Sequence, residues 1–373
     1  MITIVSCHHF PDDERVYHRE LLTLKKLGQP IQYFTRSNSE LDISDDLVRH
    51  KNCLAKEFST KEYITFLKNA FLETPPTIFH FHEYDLLPLA RLAKLRYDSK
   101  VIYDVHEDIR FLGETFSTRH PLLRNFLISI RTMKEQYHLE CVDRVVLINP
   151  IINECVFKDR GFDPIILQGF PSKTSVSDNQ NDGRRGNTIL YLGHLGPERG
   201  IRELVESIQM VRNIIPDVSL ILLGTFRTPE FQEVILSLIE KQDLSDNIKW
   251  IPQVPHEAVW NYLNEAAIGV IPFRENPLTL NNTPTKLFEF MAAGCGIVAS
   301  DLPPSRHHVS DSIQWSEPGS VQDIADGLLR LLQNPELLEN QSSQNRELIT
   351  NQFNWECVEP ILLDLYKSLE ISV

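Results

Sequence analysis

The segment Asn281–Ser300, N-N-T-P-T-K-L-F-E-F-M-A-A-G-C-G-I-V-A-S, combines a helix start, a cation and a carboxylate at spacings that suit an anionic ligand. Thr283 and Pro284 read as an N-cap followed by proline at the first helical position. The run Thr285 to Ala293 predicts a helix, Gly294 its stop, and Gly296 to Ala299 an apolar strand. Such a start leaves unpaired N–H groups near Thr285 and Lys286 at the positive end of the helix dipole. That position binds anions, most commonly phosphate, and Lys286 adds a full charge. Glu289, further along the same helix, could accept two hydrogen bonds from a vicinal diol such as a ribose. Phosphate and ribose together suggest a nucleotide. The same residues also suit a capped helix entering a parallel sheet with Glu289 solvated, and this segment alone does not choose between the two.

The elements that would position these residues alternate between short apolar strands and amphipathic helices, the βαβ pattern of parallel sheets. Strands are expected at Ile2–Cys7, Ile31–Thr35, Thr77–His82, Val101–Val105, Arg144–Ile148 and Ile165–Gln168, with helices at Glu14–Leu27, Thr60–Leu72, Leu86–Leu95 and Leu122–Cys141. The polar stretch Ser172 to Asn187 has the composition of a linker. The pattern then restarts. Strands follow at Thr188–Gly193, Ser219–Gly224, Ile248–Ile251, Ile268–Pro272, Gly296–Ser300 and Ser312–Trp315, and helices begin near Arg199, Pro229, Pro255, Pro284, Ser320 and Pro335. The last stretch, Trp355 to Leu369, is an amphipathic helix. The expected architecture is α/β, two doubly wound Rossmann-like domains spanning 1–170 and 188–354 with 171–187 as linker. In such sheets ligands bind beyond the carboxyl ends of the strands. Ser6–Arg15, His106–Asp108, His194–Arg199 and Asn281–Glu289 all follow strand ends, so they would line one cleft if the two sheets face each other.

Three of these loops carry further chemistry. G-H-L-G-P-E-R-G, Gly193 to Gly200, lies between a strand and a helix; its glycines let backbone approach a ligand, and Arg199 can bridge phosphate oxygens. A tight turn is the competing reading. His106 ends a strand after Asp104, which also describes an ordinary polar strand end. Asp12, Asp13, Glu14 and Arg15 begin a helix, where acidic residues belong for dipole reasons alone. His80 and His82 share a strand face and, with His8, His9 and Asp12, have the donor types of a zinc or iron centre. There is no H-E-x-x-H helix or other compact metal signature, so no metal is expected.

Composition bounds the alternatives. The 373 residues favour two domains, and 42% hydrophobic content is globular. A formal charge of −14 argues against nucleic acid as a partner. It also argues against broad adhesion to an anionic membrane, although a local basic patch could survive within an acidic total. The six cysteines are scattered without a C-x-x-C pair, which points away from a zinc ribbon and toward a reducing compartment. M-I-T-I-V-S enters a strand directly and no apolar run approaches a membrane span. The expected location is cytoplasmic, with peripheral contact at the inner membrane face for a lipid-linked acceptor.

Four motifs in order resemble family 4 retaining glycosyltransferases, which have the GT-B fold. They are Asn281–Ser300, Ser6–Glu20 (S-C-H-H-F-P-D-D-E-R-V-Y-H-R-E), Tyr103–Asp108 (Y-D-V-H-E-D) and Leu190–Ile201 (L-Y-L-G-H-L-G-P-E-R-G-I). The opening motif resembles a bacterial branch of that family. The resemblance spans nearly the whole chain. It implies that the last helix, 355–373, packs back on the first domain, and that the second domain binds a nucleotide-diphosphate sugar. In the resembled family a histidine at the His106 position lies beside the transferred sugar. Arg199 and Lys286 would neutralise the leaving diphosphate, and Gly193, His194, Thr285 and Glu289 would line the donor site. Many members carry Arg at the His194 position, a departure that could weaken diphosphate binding or make it pH-sensitive. The family separates two carboxylates by seven residues. Here the second is Glu289 but the first position holds Asn281, for which only a polar contact to the donor sugar carries over. The opening loop borders the acceptor, making Asp13 and Arg15 the candidates for its hydroxyl or phosphate groups. No cofactor beyond the donor substrate is implied, because Lys and Arg supply the charge a metal would. The acceptor would be a glycan, a lipid-linked molecule or a small molecule, in surface polysaccharide synthesis. A nucleotide-sugar epimerase on the same fold, or a non-catalytic nucleotide-sugar-binding protein, stays open.

Overall fold

A computed structural model describes residues 1–149, 153–176 and 186–370. Most of the expected linker, residues 177–185, lies outside the described residues. The chain divides into two compact units, one of Met1–Gly169 with Val358–Val373 and the other of Phe170–Cys357.

The first unit is a seven-stranded sheet, entirely parallel, built from β1 (Ile2–Val5), β2 (Ile31–Ser37), β3 (Val48–Leu54), β4 (Ile78–Phe81), β5 (Lys100–Val105), β6 (Arg144–Leu147) and β7 (Ile165–Ile166). Its strand order is β3-β2-β1-β4-β5-β6-β7. β1 and β4 are buried at every position, as expected for central strands covered on both faces. The connecting helices are α1 (Glu14–Leu21, wound as a π-helix), α2 (Thr60–Glu73), α3 (Leu87–Tyr97), α4 (Ile109–Phe116), α5 (Pro121–Leu139) and α6 (Asn153–Lys158). In the core of this unit Phe79, Phe81 and Tyr103 stack, with Phe71 edge-on to Phe79.

The second unit repeats the plan with six parallel strands: β8 (Thr188–Leu192), β9 (Ser219–Leu223), β10 (Ile248–Ile251), β11 (Ile268–Ile271), β12 (Gly296–Ser300) and β13 (Gln314–Ser316), in the order β10-β9-β8-β11-β12-β13. Its helices are α7 (Ile201–Arg212), α8 (Pro229–Lys241), α9 (His256–Glu265), α10 (Lys286–Ala293), α11 (Pro303–Arg306), α12 (Val321–Leu332) and α13 (Pro335–Asn351). The final helix, α14 (Trp355–Glu370), returns to the first unit, where Tyr366 Oη meets His80 Nδ1 at 2.8 Å and Glu359 pairs with Lys26 at 2.6 Å. In each sheet the strand order reverses beside the first strand, between β1 and β4 and between β8 and β11. Those are the switch points where loops diverge and leave room for a ligand.

The elements differ from expectation in two ways. Strand β3 and helices α4, α6 and α11 lie outside the expected elements. β3 is an edge strand whose V-R-H-K-N-C-L has no continuous apolar run, and α4 is a short helix directly after the histidine motif. Helix α10 begins at Lys286, with Thr285 already in helical backbone conformation. Thr283 is therefore not its cap; its hydroxyl is buried and makes no hydrogen bond among the described residues.

Candidate active site

At the second unit's switch point, β8 ends at Leu192 and runs into Gly193 and His194, while β11 ends at Ile271 and runs into Pro272 and Phe273. The loop after β8 tightens into a short turn at Pro197–Arg199 and then enters α7 through Gly200. Gly200 has a φ of 67°, and a side chain there would run into the Pro272 carbonyl, so the loop is locked against the neighbouring strand end.

This arrangement gathers cations. The guanidinium of Arg199 stands 4.5 Å from the centre of the Phe273 ring and Lys286 Nζ stands 4.9 Å from it; Lys286 Nζ is also 5.0 Å from the Tyr191 ring. The π faces hold the positive charges without supplying a counter-ion. Gly193, at φ 115°, lies so close to Lys286 that a Cβ would be 2.9 Å from its Nζ. Arg199 Nε is buried without a hydrogen bond, and Lys286 Nζ makes none among the described residues. The nearest acid, Glu198, is 3.6 Å from Arg199 Nε but is held at 2.8 Å by Arg227. Burial and the Arg199 charge push the Lys286 ammonium down to about 7, against the opposing pull of Glu289 and Glu198. Desolvation and the charges of Arg227, Lys286 and Arg199 likewise lower the pKa of His194. The amides of Thr285 and Lys286 find no acceptor among the described residues, so the dipole end of α10 points free donors into the same region. Gly193, His194, Arg199, Thr285, Lys286 and Glu289 thus belong to one electropositive site, and Tyr191 and Phe273 are parts of it that sequence reasoning missed. Phe273 carried a signal, since it follows a strand end. Asn281 is tied into its own turn, its carboxamide donating to the Pro277 carbonyl at 2.5 Å.

The first unit's switch point looks different. Glu83, after β4, accepts from Ser6 Oγ at 2.6 Å and from the Cys7 and His8 amides at 3.0 Å each, pinning the loop after β1. His106 Nε2 meets His82 Nδ1 at 3.1 Å, and its ring lies edge-on to His9 with centroids 4.5 Å apart. Burial pushes His106 down to about 3, against the pull of Asp104, so its ring is neutral. The two residues expected at the acceptor, Arg15 and Asp13, are both engaged within the first unit. Arg15 does not reach toward an acceptor: it is buried, with Nη2 2.7 Å from Asp104 and Nε 3.0 Å from Glu20, and it also donates to the Leu167 carbonyl. Burying a guanidinium requires such partners, and the inward-facing carboxylates supply them. Asp13 is the N-cap of α1, accepting from the Arg15 and Val16 amides at 2.9 Å each and facing His9 Nδ1 at 3.1 Å. Burial would raise its pKa, but His9 and these amides hold it below the usual carboxylate range. Glu20, His80, His82 and Asp104 each present a donor atom within 4.8 Å of the others. They are donor types that could hold a metal. The guanidinium of Arg15 lies against both carboxylates of that group.

The family model "Glycosyl transferases group 1" matches residues 173–348, nearly all of the second unit. The chain is 23% identical over 307 residues to a phosphatidyl-myo-inositol mannosyltransferase of Mycobacterium tuberculosis, covering 78% of this chain and 74% of that protein. It is 25% identical over 188 residues to a 2-deoxystreptamine N-acetyl-D-glucosaminyltransferase of Niallia circulans, covering 50% and 46%. Among solved structures, a sucrose-phosphate synthase from Thermosynechococcus elongatus superposes with a TM-score of 0.78 at 17% identity over all of both chains. HepE of Anabaena in complex with UDP-glucose does so at 0.72 and 11%, over 99% of this chain and 100% of that one. The fold is GT-B, and with the family match over the second unit and the transferase relatives it supports a glycosyltransferase.

Proposed function

We propose that this chain is a retaining, metal-independent hexosyltransferase that moves a sugar from a nucleotide-diphosphate donor to an acceptor hydroxyl on a glycan, a lipid-linked molecule or a small molecule. The observation that carries the reading is the pair Arg199 and Lys286, gathered over Phe273 with no full set of counter-ions. A diphosphate would supply the missing negative charge. Breaking the sugar–phosphate bond leaves additional negative charge on the diphosphate, which these cations and the free amides of Thr285 and Lys286 would stabilise more as it grows. The acceptor hydroxyl would attack the face the phosphate leaves, and the departing phosphate would take its proton. The neutral His106 ring fits that division of labour: it can orient a sugar hydroxyl but has no proton to give near neutral pH. Glu289 would hold the ribose. His194 and Asn281 would contact the diphosphate and the donor sugar.

The donor falls to the second unit and the acceptor to the first. The mycobacterial relative is a phosphatidyl-myo-inositol mannosyltransferase, and a lipid-linked acceptor would bring this chain to the inner membrane face in surface polysaccharide synthesis. Calorimetry with a panel of nucleotide-diphosphate sugars tests the donor assignment. Binding of one member, weakened roughly tenfold in Glu289→Ala by loss of a charge-assisted diol contact, is expected. Unchanged affinity in that variant removes the ribose role, and no binding by any member of the panel overturns the reading.

A further inference from the structure

Four buried side chains of the first unit converge on one point. Phe81 pairs with Tyr103 across β4 and β5, and both lie in the apolar core. Side chains alternate along a strand, so His80, His82 and Asp104 turn to the opposite face. Glu20 reaches them from α1. All four are buried, and each presents a ligand atom within 4.8 Å of the others. No compact sequence signature announces the group, because its members come from three separate elements.

Unmet bonding capacity marks this point. Each histidine has one ring nitrogen engaged and one bare. His80 Nδ1 meets Tyr366 Oη at 2.8 Å and His82 Nδ1 meets His106 Nε2 at 3.1 Å, while Nε2 of both makes no hydrogen bond among the described residues. Arg15 divides the carboxylates in the same way. It lies 3.0 Å from Glu20 Oε1 and 2.7 Å from Asp104 Oδ2, and leaves Glu20 Oε2 and Asp104 Oδ1 buried without a hydrogen bond. Glu20 Oε2 is 3.9 Å from His80 Nε2 and 3.8 Å from His82 Nε2, and His80 Nε2 is 3.9 Å from Asp104 Oδ2. These gaps are too long for hydrogen bonds. They are close to the edges of a ligand tetrahedron: bonds of about 2.1 Å to zinc place the ligands about 3.4 Å apart, so the group would close on an ion by shifts of about half an ångström. Buried polar atoms without partners are costly, and a single ion would satisfy all four side chains. The charges agree. Asp13, Glu20 and Asp104 all act on the Arg15 guanidinium, so three carboxylates face one cation, and a divalent ion would cancel the remainder. Two imidazoles with two carboxylates suit zinc or iron, and four protein ligands with outer partners on the histidine rings make a site of the structural kind.

We propose that Glu20, His80, His82 and Asp104 bind a divalent transition-metal ion of the zinc class in the core of the first unit. The ion ties α1 to β4 and β5, with Tyr366 and His106 orienting the histidine rings and Arg15 the carboxylates. It replaces the proton that burial favours on Glu20, which passes to solvent. The site belongs to the first unit alone, and the sugar transfer proposed above does not use it. The test is metal analysis by plasma mass spectrometry of the full chain, stripped with chelator, reloaded with zinc and desalted. One zinc per chain is expected, with a thermal midpoint about 5 °C or more above that of the stripped protein. Loss of an outer partner costs about 10–100-fold in metal affinity, so Tyr366→Phe should weaken zinc by roughly tenfold, and the ligand changes Glu20→Gln and His82→Gln by roughly 100-fold or more. Circular dichroism shows whether the ligand variants fold; if they do not, the Tyr366→Phe affinity decides. Cys7, His8 and Asp85 form a second set of donors that is partly exposed, and His8→Ala separates it from the first. Zinc lost in His8→Ala and kept in Glu20→Gln would be a surface ion and overturns the proposal. So does a wild-type chain that retains no zinc, or one whose zinc affinity is the same in Tyr366→Phe and in every ligand variant that folds.

Discussion

Each unit buries charge at its switch point, and the two do so in opposite ways. In the first, Arg15 sits between Glu20 and Asp104, with His80 and His82 neutral beside them. Burial raises the Glu20 pKa well above its ordinary value, whereas Arg15 keeps Asp104 low against the same burial, so the cluster closes its own charge balance. In the second, Arg199 and Lys286 share the faces of aromatic rings, and the nearest acid, Glu198, is taken by Arg227. The first cluster balances its charge internally, although Glu20 Oε2, His80 Nε2, His82 Nε2 and Asp104 Oδ1 are buried there without a hydrogen bond among the described residues, and the second does not balance its charge. The unbalanced one suits an anionic ligand, because like charges crowded into a poorly solvated place cost stability that a bound anion would return.

The sharpest way to break this contrast is to remove a cation from each side. Arg15→Met leaves two buried carboxylates without their partner and should destabilise the first unit by about 3–5 kcal/mol in urea unfolding. A loss below about 1 kcal/mol would show that the cluster is not self-balanced. Arg199→Ala or Lys286→Ala should leave the fold intact by circular dichroism but cut turnover by roughly 10²–10³-fold, the size seen when one preorganised charge-stabilising donor is lost. Near-wild-type transfer by both variants would end the phosphate assignment.

A subtler effect concerns pH. With Lys286 lowered to about 7, the free enzyme loses this charge as pH rises above neutrality. A bound diphosphate restores it, so binding takes up a proton, and affinity for the nucleotide diphosphate should fall by up to tenfold per pH unit above about 7. Lys286→Met should flatten that slope. The linkage with stability has the opposite sign. The unfolded chain holds the Lys286 proton through the range where the folded chain has released it, so the unliganded protein gains stability as pH rises above 7. A binding profile that stays flat from pH 7 to 9, measured by calorimetry in several buffers, would mean that the lysine never discharges.

Much of the scaffold could be read from the chain because buried parallel strands are continuous apolar runs, as in Ile268–Ile271 and Gly296–Ser300. β3 escaped because an edge strand keeps charged residues, here Arg49 and Lys51, along its length. The convergence of Gly193, Arg199 and Lys286 followed from loop positions alone, since all sit at or after strand ends around one switch point. The direction of Arg15 did not. A basic residue in a first helical turn looks the same in sequence whether it faces water or a buried carboxylate, and Asp104 and Glu20 are distant in the chain. The cation–π role of Tyr191 and Phe273 was hidden for a related reason: such pairs are made by tertiary packing and leave no spacing signature, even though Phe273 follows a strand end.

The bond between Tyr366 and His80 has a consequence for how this protein is made. The first unit includes α14 from Val358 onward, a stretch synthesised only after all of Phe170–Cys357. During translation the N-terminal half therefore leaves the ribosome early yet waits, one helix short, while the whole of its neighbour emerges and folds. The half that is born first is finished last.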